Sequence, residues 1–313
     1  MAEPRPDESS HEQPLITVFG GTGFLGRRVV RDLLRRGFRV RIAVRNAGRV
    51  VELFADQASV EATEVDINSE QRVADALAGA SGAVNAVSLY RERGGETFRA
   101  IHLEAAQRVA RLASRQGIAR LIHLSGIGAN PQSDSAYIRA RGLGEGAVRE
   151  ALPDATLVRP AVMFGPDDGF LTALIRLLRT LPVYPLFGRG ETSLQPVHVE
   201  NVAEAIAAML QDSASVGRTY ELGGPEVFTY AGLLRAIGAE IGVTPVLAPI
   251  PYGVWYGLAG VLGLLPSPPV TRSQVELMEI DTVAAADAPG LASLGIGPLD
   301  LRQAVRDISG VRR

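Results

Sequence analysis

The chain has 313 residues, 46% hydrophobic and 21% charged, with a formal net charge of −2. Those proportions describe a folded α/β protein with one large core or two interleaved ones, and they exclude global disorder. Scattered arginines near charge balance argue against nucleic acid, and the absence of cysteine removes disulfides, thiolate nucleophiles and cysteine metal sites together.

Residues 1–14, MAEPRPDESSHEQP, lack the apolar core of an export signal and read as a disordered leader. Leu15–Phe19 is an apolar strand, and Phe24–Arg36 then repeats apolar residues at helical spacing. The alternation continues with strand Phe38–Val44, a helix near Gly48–Ala55, strand Val60–Val65, helix Glu70–Ala78, strand Ala83–Val87, helix Glu96–Gln116 and strand Arg120–Leu124. Strands separated by helices give right-handed βαβ units, so the expected fold is α/β, a Rossmann-type doubly wound parallel sheet. After Arg159 the rhythm loosens, and Val197–Leu210 reads as a strand and helix returning to the sheet. The expected division is a nucleotide-binding domain of 15–160 plus 196–210, with a smaller interleaved substrate or partner domain of 161–195 plus 211–313. No charged residue lies between Glu240 and Arg272, but prolines break that stretch well short of the ~18–20 apolar residues of a membrane span. It reads as a pocket wall or, through 246–270, as a surface for peripheral membrane contact. The four histidines (His11, His102, His123, His198) show no ligand spacing, so no metal is expected.

The strongest local signal is Gly20-Gly21-Thr22-Gly23-Phe24-Leu25-Gly26-Arg27, set between the first strand and its helix. Gly20 permits the tight turn, Gly23 lets backbone approach a pyrophosphate, and Gly26 allows close packing. The helix N-terminus offers free N–H groups to the anion. A dinucleotide is therefore the expected cofactor. NAD sites usually carry an acid at the end of the second strand. Here Arg45 stands there, and its guanidinium suits a 2′-phosphate, with Arg27 assisting, so NADP(H) is preferred over NAD(H). Asp66, after strand three, is placed to meet the adenine amino group. Asn85, Ala86 and Val87 end strand four and would line the far side of the cofactor.

Taken together, GGTGFLG, Asp66-Ile67, Tyr137, Arg159-Pro160 through Phe164-Gly165-Pro166-Asp167, and Gln195 to Val202 resemble the extended and atypical short-chain dehydrogenase/reductases. Tyr220 to Pro225 strengthens the likeness, which runs from about Leu15 to Val311. Within that superfamily the chain looks most like bacterial relatives of the nucleotide-binding accessory subunit of respiratory complex I. The resemblance implies bound NADPH with Ile67, Ser125, Tyr137, Arg141 and Pro160 among its contacts. It also implies a homodimer through the helices near 96–116 and 135–150.

The superfamily's chemistry uses serine with Tyr-x-x-x-Lys. Tyr137-Ile138-Arg139-Ala140-Arg141 keeps the tyrosine and puts arginine at the lysine position. The two share a helix face, so Arg141 can favour phenolate and bond ribose hydroxyls, although a guanidinium does not give up a proton. Ser125 is the available hydroxyl, while Ile127 stands where related enzymes often carry serine or threonine.

Two functions follow. One is an NADP(H)-dependent oxidoreductase for a small apolar carbonyl, enone or quinone-like compound, with Tyr137, Arg141 and Ser125 catalytic. The other is a non-catalytic NADPH-holding subunit or assembly factor of a membrane respiratory complex. Either is expected in the cytoplasm, the second peripheral to the inner membrane. A sugar-nucleotide epimerase is disfavoured by the apolar C-terminal lobe.

Overall fold

The computed structural model describes residues 13–263, 265 and 270–310. Most of the expected leader, and part of the uncharged stretch, therefore lie outside the described residues.

Seven parallel strands form the central sheet: β1 (Leu15–Phe19), β2 (Arg39–Val44), β3 (Val60–Glu64), β4 (Gly82–Asn85), β5 (Arg120–Leu124), β6 (Thr156–Pro160) and β11 (Thr219–Leu222). Their order is β11-β6-β5-β4-β1-β2-β3. Phe19 stands level with Ala43 of β2 and Asn85 of β4, and Asn85 is level with His123 of β5. Every residue of β1 and β4 is buried, as continuous apolar strands in a sheet covered on both faces must be.

One face is covered by α1 (Gly26–Arg35) and α7 (Val199–Gln211), which bring Val29, Leu33, Val202 and Ile206 onto Val18 and Ile42. Each such fully buried side chain contributes about 1.5–3 kcal/mol relative to exposure. The opposite face carries α3 (Glu70–Leu77), α4 (Ala106–Arg115) and α5 (Ala136–Ala151), while α2 (Gly48–Phe54) links β2 to β3. A π-helical segment, Arg99–Ala105, leads into α4 where a continuous α-helix is the sequence expectation.

The chain winds from β1 to β3 in one direction and from β4 to β11 in the other. The switch between β1 and β4 opens a crevice at their carboxyl ends, where ligands of such sheets bind.

The second lobe combines α6 (Gly169–Thr180), β8 (Val183–Phe187), α8 (Tyr230–Ile241) and β13 (Val246–Ile250) with α11 (Leu301–Ser309), around Leu171, Leu174, Leu233, Ile237 and Val305. β8 and β13 pair in parallel. Short pairs join β7 (Met163–Phe164) to β10 (Val197–His198), and β9 (Ser193–Leu194) to β12 (Phe228–Thr229). α9 (Tyr252–Leu262) and α10 (Arg272–Leu277) complete it.

Two expectations are corrected. Residues 219–222, assigned to the second domain, pair with β6 and extend the main sheet. Of the segment expected to return to the sheet, only α7 does so. Val197–His198 pairs with β7 instead, because α7 already starts at Val199 with His198 as its cap.

Candidate nucleotide and catalytic site

The glycine turn is built against backbone. Gly20 has φ +79°, and a Cβ there would meet the Ala86 carbonyl at 3.1 Å. Its N–H donates to the Ala43 carbonyl at 3.1 Å, which ties the turn to β2. At Gly26 a Cβ would sit 2.1 Å from the Gly20 carbonyl oxygen, so only glycine lets the helix begin this close to the strand. α1 starts at Gly26, with Phe24 and Leu25 in the turn, and its N-cap residue Leu25 makes no side-chain cap bond. Gly21 and Leu25 are buried, whereas Gly23 is exposed and Thr22 partly so, at the open side of the turn. The chain thus leaves the helix N-terminus to an anion, and this cradle fits a dinucleotide pyrophosphate.

Arg45 follows β2 and is well exposed. It forms an ion pair with Glu96, which is held by a two-way backbone bridge to Arg93. Arg27 pairs with Asp167 at 3.1 Å, so its charge joins the loop before α6 rather than Arg45. Asp167 has φ +67°, while Asp168 caps α6 through Leu171 N–H at 2.5 Å. Buried Arg28 fastens the same loop to α1, donating to Glu200, the Phe24 carbonyl and the Pro166 carbonyl.

Asp66 is exposed and accepts a bond from Asn68 N–H at 2.9 Å, while Ile67 is buried. Asn85 ends β4. Its side chain is buried, accepts from Val87 N–H and faces His123 across the sheet, so it braces the strand ends at the crevice. Ala86 and Val87 stand beside Gly20 and are only partly buried.

The candidate catalytic residues gather at the ends of β4 and β5. Ser125 follows β5, and its buried Oγ has no hydrogen-bond partner among the described residues. Arg141 donates from Nη2 to Ser88 Oγ at 2.9 Å and lies over the Tyr137 ring, 4.9 Å from its centroid. Its buried Nε is likewise unpartnered. Pro160, at the end of β6, accepts from Ile127 N–H. Unsatisfied buried polar atoms are costly, at about 1–3 kcal/mol each, and they mark where a polar ligand group would repay that cost.

Tyr137 is buried among aromatic side chains. Tyr90 stacks on it at 5.9 Å, and Phe98 and His102 meet it edge-on at 5.3 Å. Burial pushes its phenol well above the ordinary value; the Arg141 charge and a hydrogen bond with Ser88 pull the other way. His102, inside the π-helical segment, holds the Leu89 backbone through Nε2. Burial and the Arg141 charge push His102 down to about 3 and His123 to about 4.

Ser88, Tyr90, Glu96 and His102 carry no sequence signal of their role, because each acts by meeting a residue distant in sequence. Arg159 clamps the neighbouring edge, bonding Glu145 through two nitrogens at 2.9 and 2.6 Å and Glu221 at 3.2 Å.

A cavity of about 560 Å³ opens beside this cluster between the N-terminus of α5 and the α9–α10 pair. Of the described residues in the uncharged 241–271 stretch, only Tyr256 lines it. Trp255 is buried against Phe187, Tyr184 bonds Tyr230 within the lobe core, and Val254, Leu258 and Val261 face outward. The described part of that stretch is therefore not an apolar wall of this cavity.

A glycine cradle at the switch point of a parallel sheet, followed by a helix with an uncapped N-terminus, defines a dinucleotide-binding protein of Rossmann type. Residues 20–213 match the NAD(P)H-binding family model, and the chain belongs to that family. It is 33% identical to NADH dehydrogenase (ubiquinone) 1 alpha subcomplex subunit 9, mitochondrial, of Arabidopsis thaliana, over 92% of this chain and 75% of that protein. It is 30% identical to the ceramide reductase of Caulobacter vibrioides, over 76% of this chain and 74% of that one. Among solved structures, Citrobacter sp. triphenylmethane reductase complexed with NADP(H) superposes with TM-score 0.75 at 20% identity, covering 94% and 99% of the two chains. This last likeness carries the fold alone. Among the described residues no helix is long and apolar enough to cross a membrane.

Proposed function

We propose that the protein binds NADP(H) in preference to NAD(H) and reduces a carbonyl or enone group presented at Tyr137. The observation that supports this reading is that Arg141 lies over the Tyr137 ring and against Gly126, the residue that follows the unpartnered Ser125 hydroxyl. Arg45 takes the 2′-phosphate in exchange for Glu96, and the glycine turn with the α1 N-terminus takes the pyrophosphate. The bound nicotinamide supplies hydride. Tyr137 donates its proton to the substrate oxygen, and Arg141, lying over the ring, stabilises the phenolate left behind. Ser125 Oγ donates a further hydrogen bond to the same oxygen. The lobe of 161–195 and 223–313 supplies the substrate side.

A second reading has its own support. Tyr137 is buried, the rings of Tyr90, Phe98 and His102 close around it, and the relatives include subunits of a respiratory complex. In that case NADPH stabilises the fold by mass action and α9 presents its apolar face to a membrane-bound partner. The test is to offer NADPH-loaded protein a panel of enones, quinones and long-chain ketones while following absorbance at the nicotinamide band. Oxidation that stops in Tyr137→Phe supports the reductase. Stable NADPH across the panel, with co-purification in a respiratory complex from solubilised membranes, replaces it with the holding role.

A further inference from the structure

Residues 88–98 lie between β4 and the π-helical segment, and their contacts join the two halves of the site. At one end Ser88 Oγ accepts from Arg141 Nη2 at 2.9 Å, and His102 Nε2 donates to the Leu89 carbonyl at 2.9 Å. The other end turns back through Arg93-Gly94-Gly95-Glu96. Glu96 N–H donates to the Arg93 carbonyl at 2.9 Å and Arg93 N–H to the Glu96 carbonyl at 3.1 Å, which closes the turn. Glu92 accepts from Phe98 N–H at 2.7 Å and staples the two arms. The Glu96 carboxylate then pairs with Arg45. The segment is thus a strap, anchored at one end beside Tyr137 and at the other on the residue assigned to the 2′-phosphate.

Tyr90 is the first residue past the anchored end. Three rings cover Tyr137, which is 5% exposed, and two of them, Phe98 and His102, are themselves buried. Tyr90 is 59% exposed and stacks on Tyr137 at 5.9 Å, so of the three it is the ring that can leave without opening the core. The far end of the strap is held by an ion pair between exposed side chains, and such pairs are weak in water and salt. A phosphate offers Arg45 more charge and two parallel hydrogen bonds, and so displaces a single carboxylate. We propose that Glu96 and Tyr90 make nucleotide choice and access to Tyr137 one event. A 2′-phosphate takes Arg45 from Glu96, the strap is released at that end, and Tyr90 leaves the Tyr137 ring to make room for a substrate carbonyl. A nucleotide without the 2′-phosphate leaves the ion pair intact and Tyr137 covered. Glu96 is thereby a specificity-determining residue and Tyr90 a positioning residue of the reductase. This inference deepens the reductase reading and rests on its assignment of Arg45 to the 2′-phosphate.

The test saturates the full-length protein with adenosine 2′,5′-bisphosphate or with adenosine 5′-diphosphate. Neither carries a nicotinamide that would itself cover Tyr137, and only the first has a 2′-phosphate. Two readouts follow the strap: amide hydrogen exchange across 88–98, and nitration of Tyr137 by tetranitromethane, measured on the tryptic peptide 121–139, whose one tyrosine is Tyr137. Nitration is read in a Tyr90→Phe background, where the covering ring remains and does not itself react. The bisphosphate is expected to raise both readouts roughly threefold or more, while the diphosphate leaves both unchanged. Glu96→Gln is expected to show the raised values without ligand. Either readout unchanged under bound bisphosphate, or raised equally by the diphosphate, overturns the proposal. Calorimetry with wild type and Arg45→Ala tests the underlying assignment separately: equal affinity of the two for the bisphosphate removes Arg45 from the 2′-phosphate site, and the strap mechanism with it.

Discussion

The glycine turn after β1 and the cluster around Tyr137 lie at neighbouring strand ends but are held by different means. At the turn, backbone confronts backbone: Gly26 has no room for a methyl group, and Gly20 is fixed by Ala43 and Ala86. Around Tyr137 the contacts are side chain to side chain, across Ser88, Tyr90, Phe98, His102 and Arg141. A backbone cradle binds any ligand with the right anion and cannot drift. A side-chain cluster can be rebuilt by substitution, and Arg141 stands in it where the resemblance implies lysine. The lesson is that cofactor binding and chemistry can be lost separately in this fold, and mutations should separate them.

The largest expected effect on the fold and on nucleotide binding together is Gly26→Ala. A Cβ 2.1 Å from a carbonyl oxygen forces the helix away from the strand, and overpacking of this kind costs roughly 1–3 kcal/mol or more. NADPH affinity should fall at least tenfold, and thermal unfolding should move down by several degrees. Tyr137→Phe, on the other side of the comparison, should reduce turnover by roughly 10²–10⁴-fold, the usual share of a general acid. NADPH affinity should change less than twofold. If both variants lose binding equally, the two regions are not independent.

Arg45→Ala should weaken NADPH by about 10–100-fold and leave NADH nearly unchanged, since a charged hydrogen bond contributes about 1.5–3 kcal/mol. Glu96→Gln should act in the opposite direction, tightening NADPH several-fold by freeing Arg45. Comparative titrations with the two nucleotides check both.

Acid should loosen the Tyr137 side. His102 and His123 are held down at about 3 and 4 when folded, against about 6.5 when unfolded. The unfolded chain therefore binds more protons below pH 6.5, and stability is fullest above that pH and falls as pH drops toward 4. Each histidine can contribute up to about 1.4 kcal/mol per pH unit in that window. Melting curves from pH 7.5 to 4.5 should show the decline, and His102→Gln should flatten it. The smallest effect is expected on α9: Val254→Ser and Leu258→Gln lie on an exposed face and should shift stability by no more than about 0.5 kcal/mol.

The elements that were legible in the sequence are those governed by local rules. Strand, glycine turn and helix from Leu15 to Arg35 follow from burial periodicity and from the space a turn leaves, and β2 to β5 repeat the pattern. What was not legible depends on distant partners. Ser88 and Arg141 are 53 positions apart, and nothing in the Asn85–Tyr90 run says that its serine meets a guanidinium. Asn85 reads as a groove residue by position, and its contact with His123 of β5 is not visible in the sequence. β11 lies beyond the loosened stretch after Arg159, and its pairing with β6, some 60 residues earlier, is not visible in its own residues. In the uncharged stretch, composition alone does not tell inward from outward faces, and α9 turns Trp255 in and Val254, Leu258 and Val261 out.

The most direct measurement is a titration of nucleotide-free protein with NADPH and NADH, followed by intrinsic cofactor fluorescence and calorimetry. The expected result is one NADPH per chain, bound at least tenfold tighter than NADH, with the difference lost in Arg45→Ala. Binding of neither nucleotide would contradict the reading of the turn after β1, and with it the function built upon that turn.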